Sequence, residues 1–264
     1  MPDYFPYIEG LEIEWLELNL LKNGRSMSKS TVMSLLTDPD ENLIDSWFTE
    51  LMDRNFDLPI SYYSQIGNTI HPKVAWADVP EYFLCLYFSY SGAYNDHVGT
   101  RLFERISGIA IKNFIGGEIF SLGFPSGKNL NQELDELAPL CYEDRGRQAH
   151  PDYKDDGVDI ICYKHFGDNK SSNLYVLLQC AAGVNWKSKS MINMDNWVQY
   201  IFWASKNIVT SLSTTEYVKD RQWEKSSSRY GLLMDRNRVL NWYSKSIDAS
   251  LRKEVQVWCV DKGI

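Results

Sequence analysis

Basic residues are in short supply in this chain. Its 27 Lys and Arg face 35 Asp and Glu, a formal net charge of −8. A stand-alone nucleic-acid binder is basic at least locally, so a polyanion would need a local cleft, or a partner subunit's surface, whose charge departs from that of the whole. Long apolar runs are also missing. The run at 79–90 is too short and too interrupted to span a bilayer, so no membrane association is expected. Cysteines number five (Cys85, Cys141, Cys162, Cys180 and Cys259), widely spaced and without a Cys-x-x-Cys pair. That excludes a disulfide framework and points to buried free thiols in a reducing cytoplasm. Cys162 and His165 have the spacing of a zinc-binding pair, but no second close pair follows. The glycines at 123–128 lack the spacing of a phosphate-binding loop. Acidic residues at Asp3, Glu9, Glu12 and Glu14 do not fit a signal peptide, which again points to the cytoplasm. Internal repeats and long low-complexity tracts are absent.

What remains is ordinary globular material. The 264 residues are 44% hydrophobic and 23% charged, with nine Trp and sixteen Tyr to fill a core. That is enough for one large domain, or for a catalytic domain with a helical extension. Apolar spacing predicts helices over 10–36 (broken at Asn23 and Gly24, with Ser28 as a cap), 40–56, 82–94, 101–115 and 130–140. Strands are expected at 118–124, 158–163, 174–180, 208–212, 230–234 and 254–260, and helices at 185–206 and 238–246. Loops are expected at 143–156 and 219–228. The near-continuous apolar run 174–180 reads as a central strand covered on both faces. The expected fold is α/β, a mixed central sheet flanked by helices over 99–264, with a helical N-terminal extension over 1–98.

Charged groups gather on this scaffold most plainly at 154–189. Asp159 stands near the start of one strand, and Gln179 ends the next. Lys187 and Lys189 follow shortly after. On the helix 101–115, Arg101, Arg105 and Lys112 form a charged face, with Phe103, Ile106, Ala110 and Phe114 roughly opposite. Glu104 falls at the edge of the apolar side. Phosphodiester hydrolysis needs a water made nucleophilic and a leaving oxygen stabilised. A hard divalent cation held by oxygen ligands does both. Asp159, Glu104, the Gln179 amide and the Cys180 carbonyl are candidate ligands, and a buried carboxylate at Glu104 would be offset by a cation. Lys187 or Lys189 is then the candidate to hold the attacking water or the phosphate.

This set resembles the PD-(D/E)XK, or restriction-endonuclease-like, superfamily over residues 101–212, with its motif proper at 159–189. That superfamily pairs a helical Glu with a strand Asp and a strand Glu or Gln followed two residues later by Lys. Glu104, Asp159 and Gln179 match, whereas the position two after Gln179 is Ala181. Some members recruit the lysine from the following helix, and Lys187 is the candidate here. The resemblance implies a restriction-endonuclease-like core and a Mg2+- or Mn2+-dependent endonuclease acting on DNA. Asp159 would be the principal ligand, Glu104 and Gln179 would complete the site, and Lys187 would polarise the water. The string from Gln179 to Trp186 also looks like a group of bacterial proteins associated with phage defence, which implies a partner in a multi-subunit system.

Plainer readings stand beside these. Asp155 and Asp156 fit a solvated turn, Glu104 an arginine partner, Gln179 a satisfied core amide, each lysine a solvated position and Trp186 the core. The missing lysine at Ala181 and the acidic surface also fit a catalytically inactive subunit that kept the fold as an interaction scaffold. A thiol or zinc hydrolase built on Cys180, His150 and His165 is a third class.

Overall fold

The computed structural model describes residues 3–37, 39–58, 60–123, 127–206 and 208–263. The N-terminal elements are α1 (Glu12–Asn23), β1 (Met27–Ser28), α2 (Lys29–Leu35), α3 (Glu41–Phe56), β2 (Tyr63–Ile66), β3 (Thr69–Pro72) and α4 (Pro80–Ser91). Then come α5 (His97–Ile115), β4 (Glu118–Ser121), α6 (Leu130–Leu140), β5 (Asp144–Arg145), β6 (Ile160–Lys164) and β7 (Leu174–Ala181). The chain continues through α7 (Met194–Tyr200), β8 (Ile201–Phe202), β9 (Ile208–Thr214), α8 (Asp220–Tyr230), β10 (Leu232–Met234), α9 (Arg236–Tyr243) and α10 (Ala249–Asp261). Ser28 caps α2 by accepting from Thr31 N, and Asp40 caps α3 by accepting from Asn42 N.

The main sheet has the order β10-β9-β7-β6-β4. β7 pairs antiparallel with β6 and parallel with β9, so the sheet is mixed and β7 lies at its centre. Side chains alternate across it. Ile160, Cys162, Val176, Leu178 and Cys180 pack with α5 and the N-terminal helices in one core. Ile161, Tyr163, Tyr175 and Leu177 pack with Leu134, Leu137, Trp197 and Tyr200 in another. The first core runs continuously from Ile13 to Cys259, so the N-terminal helices and the C-terminal sheet layer share buried surface.

Four expectations fail, each for a physical reason. Residues 254–260 form part of α10, because Leu251, Val255, Trp258 and Cys259 recur at helical spacing on the buried side while Val257 is 56% exposed. The expected loop 219–228 is α8, a helix so polar that its single buried residue is Tyr230. The expected helix 185–206 is a short 3-10 turn (Trp186–Ser188), an extended stretch, α7 and β8. Arg145 and Gly146 N take the Tyr200 carbonyl and end α7 there, and Phe202 is exposed. Phe114, expected on the apolar face, is 44% exposed and rests on Trp242. The strand expected at 118–124 ends at Ser121, and its last position lies outside the described residues. The expected strand 230–234 begins only at Leu232, after Gly231, and the loop 143–156 contains β5.

Candidate active site

Helix α5 carries Glu104 to the sheet. Asp96 caps α5 by accepting from Gly99 N at 2.8 Å. One turn after Glu104 comes Gly108, where a Cβ would stand 2.9 Å from the Ile160 Cδ1. The missing side chain lets the helix lie close on β6 and sets Glu104 near the point where that strand begins. Asp159 is the residue immediately before β6. It reaches this position through a tight turn in which Asp155 Oδ1 accepts from Gly157 N at 2.8 Å. Asp156 (φ 46°) and Gly157 (φ 79°) are both left-handed, a conformation that Asp tolerates and Gly favours. Asp156 is held there by α7. Its Oδ2 accepts from Asn196 and from the Tyr200 hydroxyl, both at 2.9 Å, and its carbonyl accepts from the Trp197 indole at 3.3 Å. The solvated-turn reading of Asp156 therefore gives way to a clamp.

Asp159 Oδ2 accepts from Cys180 N at 2.6 Å, which ties the end of β7 to the start of β6. Lys189 Nζ donates to the Cys180 carbonyl at 2.8 Å. Its ammonium therefore stands beside the strand end that carries Ala181. Gln179 is buried, and its Oε1 has no hydrogen-bond partner among the described residues. Its Nε2 would lie 3.4 Å from a Cβ at Gly157, so the amide borders the same turn. An unsatisfied buried acceptor costs about 1–3 kcal/mol, which sets Gln179 apart from a satisfied core amide.

The electrostatics agree with this proximity. Burial, then the Asp159 charge and further off Asp155, raise the Glu104 carboxyl to about 7, with Lys189 and Arg101 opposing. Burial also raises Asp159, against the Cys180 amide and Lys189. Asp155 contributes to both shifts, and the sequence reading placed it in a solvated turn. Its only sequence signal, an Asp-Asp-Gly run, is shared by ordinary turns.

Asp159, Lys189 and the Cys180 backbone thus come together through hydrogen bonds, with Glu104 within electrostatic reach and Gln179 beside the turn that feeds them. Lys187 is directed elsewhere. Its ammonium pairs with Glu216 at 3.4 Å and lies over the Trp186 ring, which is itself buried core. Cys180's thiol is pushed well above its ordinary range by burial, Asp159 and Glu104, so it does not supply a thiolate nucleophile. Cys162 turns toward the Ile111 carbonyl, while His165 packs between Tyr142 and Tyr163. The two do not form a zinc pair. His150 stands exposed beside Asp152.

Among the described residues no three His, Cys, Asp or Glu side chains stand together as a ready metal-ligand group. A hard cation fits on other grounds. The donors are all oxygens, both carboxylates are raised by burial, with Asp159 raising Glu104 and Asp155 raising both, and the Gln179 acceptor is unpaired. The Cys180 carbonyl already accepts from Lys189, which leaves it one lone pair.

No protein family matches the chain, and no curated protein matches it. Among solved structures it is similar to the MspJI restriction endonuclease in complex with a 27-mer oligonucleotide, at 15% identity and a TM-score of 0.32. The match covers 74% of this chain and 37% of that one. A likeness so slight carries no argument about function. Among the described residues, no helix is long and apolar enough to cross a membrane.

Proposed function

We propose that the chain is a metal-dependent endonuclease that hydrolyses phosphodiester bonds in DNA. The carrying observation is that Glu104 on α5, Asp159 before β6 and Lys189 after β7 bear on one another electrostatically across 86 residues of chain, beside an unpaired buried amide oxygen. Asp159 and Glu104 would hold Mg2+ or Mn2+, with Gln179 Oε1 and the Cys180 carbonyl completing the set. When bound, that ion would supply Lewis acidity and a water of lowered pKa.

The chain's own groups do the rest. Asp159 is fixed by the Cys180 amide, which leaves Oδ1 free to face the ion. Lys189 takes the lysine role that the sequence assigns to Lys187, since its ammonium already lies at the end of β7. There it would hold a non-bridging phosphate oxygen and orient the attacking water. Glu104, at about 7, must lose its proton before it can bind a cation, so activity should rise with pH through that range.

Asp159→Ala should abolish Mg2+- or Mn2+-dependent cleavage of plasmid DNA while circular dichroism stays unchanged; undiminished cleavage would remove this assignment. Lys189→Ala should lower turnover by about 10²–10³-fold, as for loss of a charged group in the transition state. One observation favours the second reading, an inactive nuclease fold serving as a scaffold. Lys189 is engaged with a backbone carbonyl that a cation would share. Absence of cleavage by the wild-type protein with either metal, together with capture of a neighbouring subunit, would favour it. The setting in anti-phage defence, with a protein partner, rests on the resemblance of the Gln179 to Trp186 string, and the cytoplasmic location on the dispersed cysteines and the acidic first residues.

A further inference from the structure

Helix α8 segregates its charges. Arg221, Lys225 and Arg229 recur at intervals of four and form one stripe, all of them exposed. Asp220 and Glu224 fall on the neighbouring stripe. The basic stripe borders a groove of about 220 Å³ lined by Lys187, Arg221, Gln222, Lys225, Arg229 and Tyr230, together with Ser226; no carboxylate lines it. Among the described residues no carboxylate forms an ion pair with Arg221, Lys225 or Arg229, and only Lys187 has one, to Glu216. In a chain of net charge −8, three cations without an ion-pair partner among the described residues and a fourth paired with Glu216 make the α8 side of this groove a local reversal of sign, next to a cleft that carries Glu12, Glu14, Glu50 and Glu216.

The groove is linked to the candidate active site through the segment 186–189. Arg229 donates to the Lys187 carbonyl at 3.3 Å and to the Lys189 carbonyl at 3.1 Å. The Tyr230 hydroxyl donates to the same stretch, which it meets at the Trp186, Lys187 and Lys189 carbonyls. One short segment therefore sends Lys189 into the site and Lys187 into the groove, and α8 fixes it from behind. From Arg221 to Arg229 the helix rises about 12 Å, the axial span of three to four nucleotides at about 3.4 Å each.

We infer that this groove binds the phosphodiester backbone of the nucleic-acid strand that enters or leaves the active site. The inference rests on the nuclease reading for the direction of the strand, but the groove's charge stands independently of it. Phosphate contacts of this kind position a substrate without reading its sequence. This answers the problem posed by the acidic composition, because a polyanion meets a local cleft of opposite sign.

The test uses Arg221→Ala/Lys225→Ala, two exposed positions outside the core, and leaves Arg229 in place because it fixes the 186–189 segment. Fluorescence anisotropy with a labelled 20-base-pair DNA duplex, and with its single strand, is measured in EDTA over a series of salt concentrations. The double variant should bind duplex about 30-fold more weakly at 0.15 M salt and lower the slope of log K against log salt by about 2, the loss of two counterion-releasing contacts. Its thermal midpoint should be unchanged. Equal affinity and slope for the two proteins, or no DNA binding by wild type, would overturn the proposal. So would equally effective competition by poly-L-glutamate at matched charge, which would show a surface for acidic protein. Because binding is read without metal, a wild type that binds DNA through these residues yet never cleaves it overturns the nuclease reading and leaves the groove intact.

Discussion

Two clusters of buried charge lie in this molecule, and they are built on opposite plans. One joins the N-terminal helices to α9. Arg236, wholly buried, donates to Glu17 at 3.1 Å and faces the Tyr82 ring, while the Tyr82 hydroxyl also donates to Glu17. Arg54 pairs with Glu14 at 2.6 Å and with Glu50 at 2.7 Å, and Lys219 pairs with Glu50 at 2.7 Å. Against the upward push of burial, Arg54 and Arg236 hold Glu14 below its ordinary value; Lys219 and Arg54 do the same for Glu50. Glu17 is the exception, raised by its complete burial. Three acids meet three bases. In the other cluster, Glu104, Asp155 and Asp159 meet Lys189 with more distant help from Arg101, and both Glu104 and Asp159 are raised. The first arrangement neutralises itself and holds elements together. The second keeps its carboxyls raised by burial beside a single near lysine, the pattern that a candidate site shows and a structural ion-pair network does not.

The contrast can be broken most sharply at Arg236. Arg236→Met removes the nearer of Glu17's two cations, leaving only Arg54 at 3.9 Å and the Tyr82 hydroxyl, and should cost about 3 kcal/mol in urea unfolding, whereas Asp159→Asn should leave stability unchanged or raise it. If both substitutions cost the same, the two clusters are of one kind.

Next comes pH. Glu104's folded value of about 7 lies above its ordinary 4.5, so the folded state holds that proton more tightly. Its contribution is complete below pH 4.5 and is lost as pH rises through about 7. In chelator, Glu104→Gln should match wild type near pH 4 and exceed it at pH 8 by up to about 3 kcal/mol. A pH-independent difference would reassign the Glu104 shift.

Divalent metal gives a comparable effect. Mn2+ at about 100 times its dissociation constant should stabilise the wild-type protein by about 2.7 kcal/mol in thermal unfolding and leave Asp159→Asn unmoved. A gain of equal size in both proteins would place the ion elsewhere. The smallest change is expected at Lys187, whose half-exposed pair with Glu216 should be worth less than about 1 kcal/mol when removed as Lys187→Ala.

Much of the fold could be read in the sequence where periodicity was long and one-sided. The helix 130–140 and the central strand 174–180 are examples, the latter covered on both faces as its unbroken apolar run implies. The reading failed where two periods compete. Val255, Val257 and Cys259 alternate like a strand, yet Leu251, Val255, Trp258 and Cys259 satisfy a helix, and burial of Trp258 decides between them. It failed too at α8, where a polar helix leaves no apolar stripe to detect. At the candidate site, Asp159, Gln179 and Glu104 stand out in the sequence as polar groups on apolar elements. The choice between Lys187 and Lys189 is not legible there, because two residues of an irregular turn point in unrelated directions, whereas in a regular element they would keep a fixed relation.

By itself, then, the sequence determined which groups were available: acids and an amide at strand and helix edges, lysines shortly after, five cysteines too dispersed to pair, and a central strand that had to be buried. Tertiary structure alone decided which of those groups meet. Gly108 sets how closely α5 approaches β6, α7 clamps the turn that aims Asp159, and α8 fixes the segment that delivers Lys189 to the Cys180 carbonyl. Each of these is a contact between residues far apart along the chain, and local periodicity carries no information about such contacts.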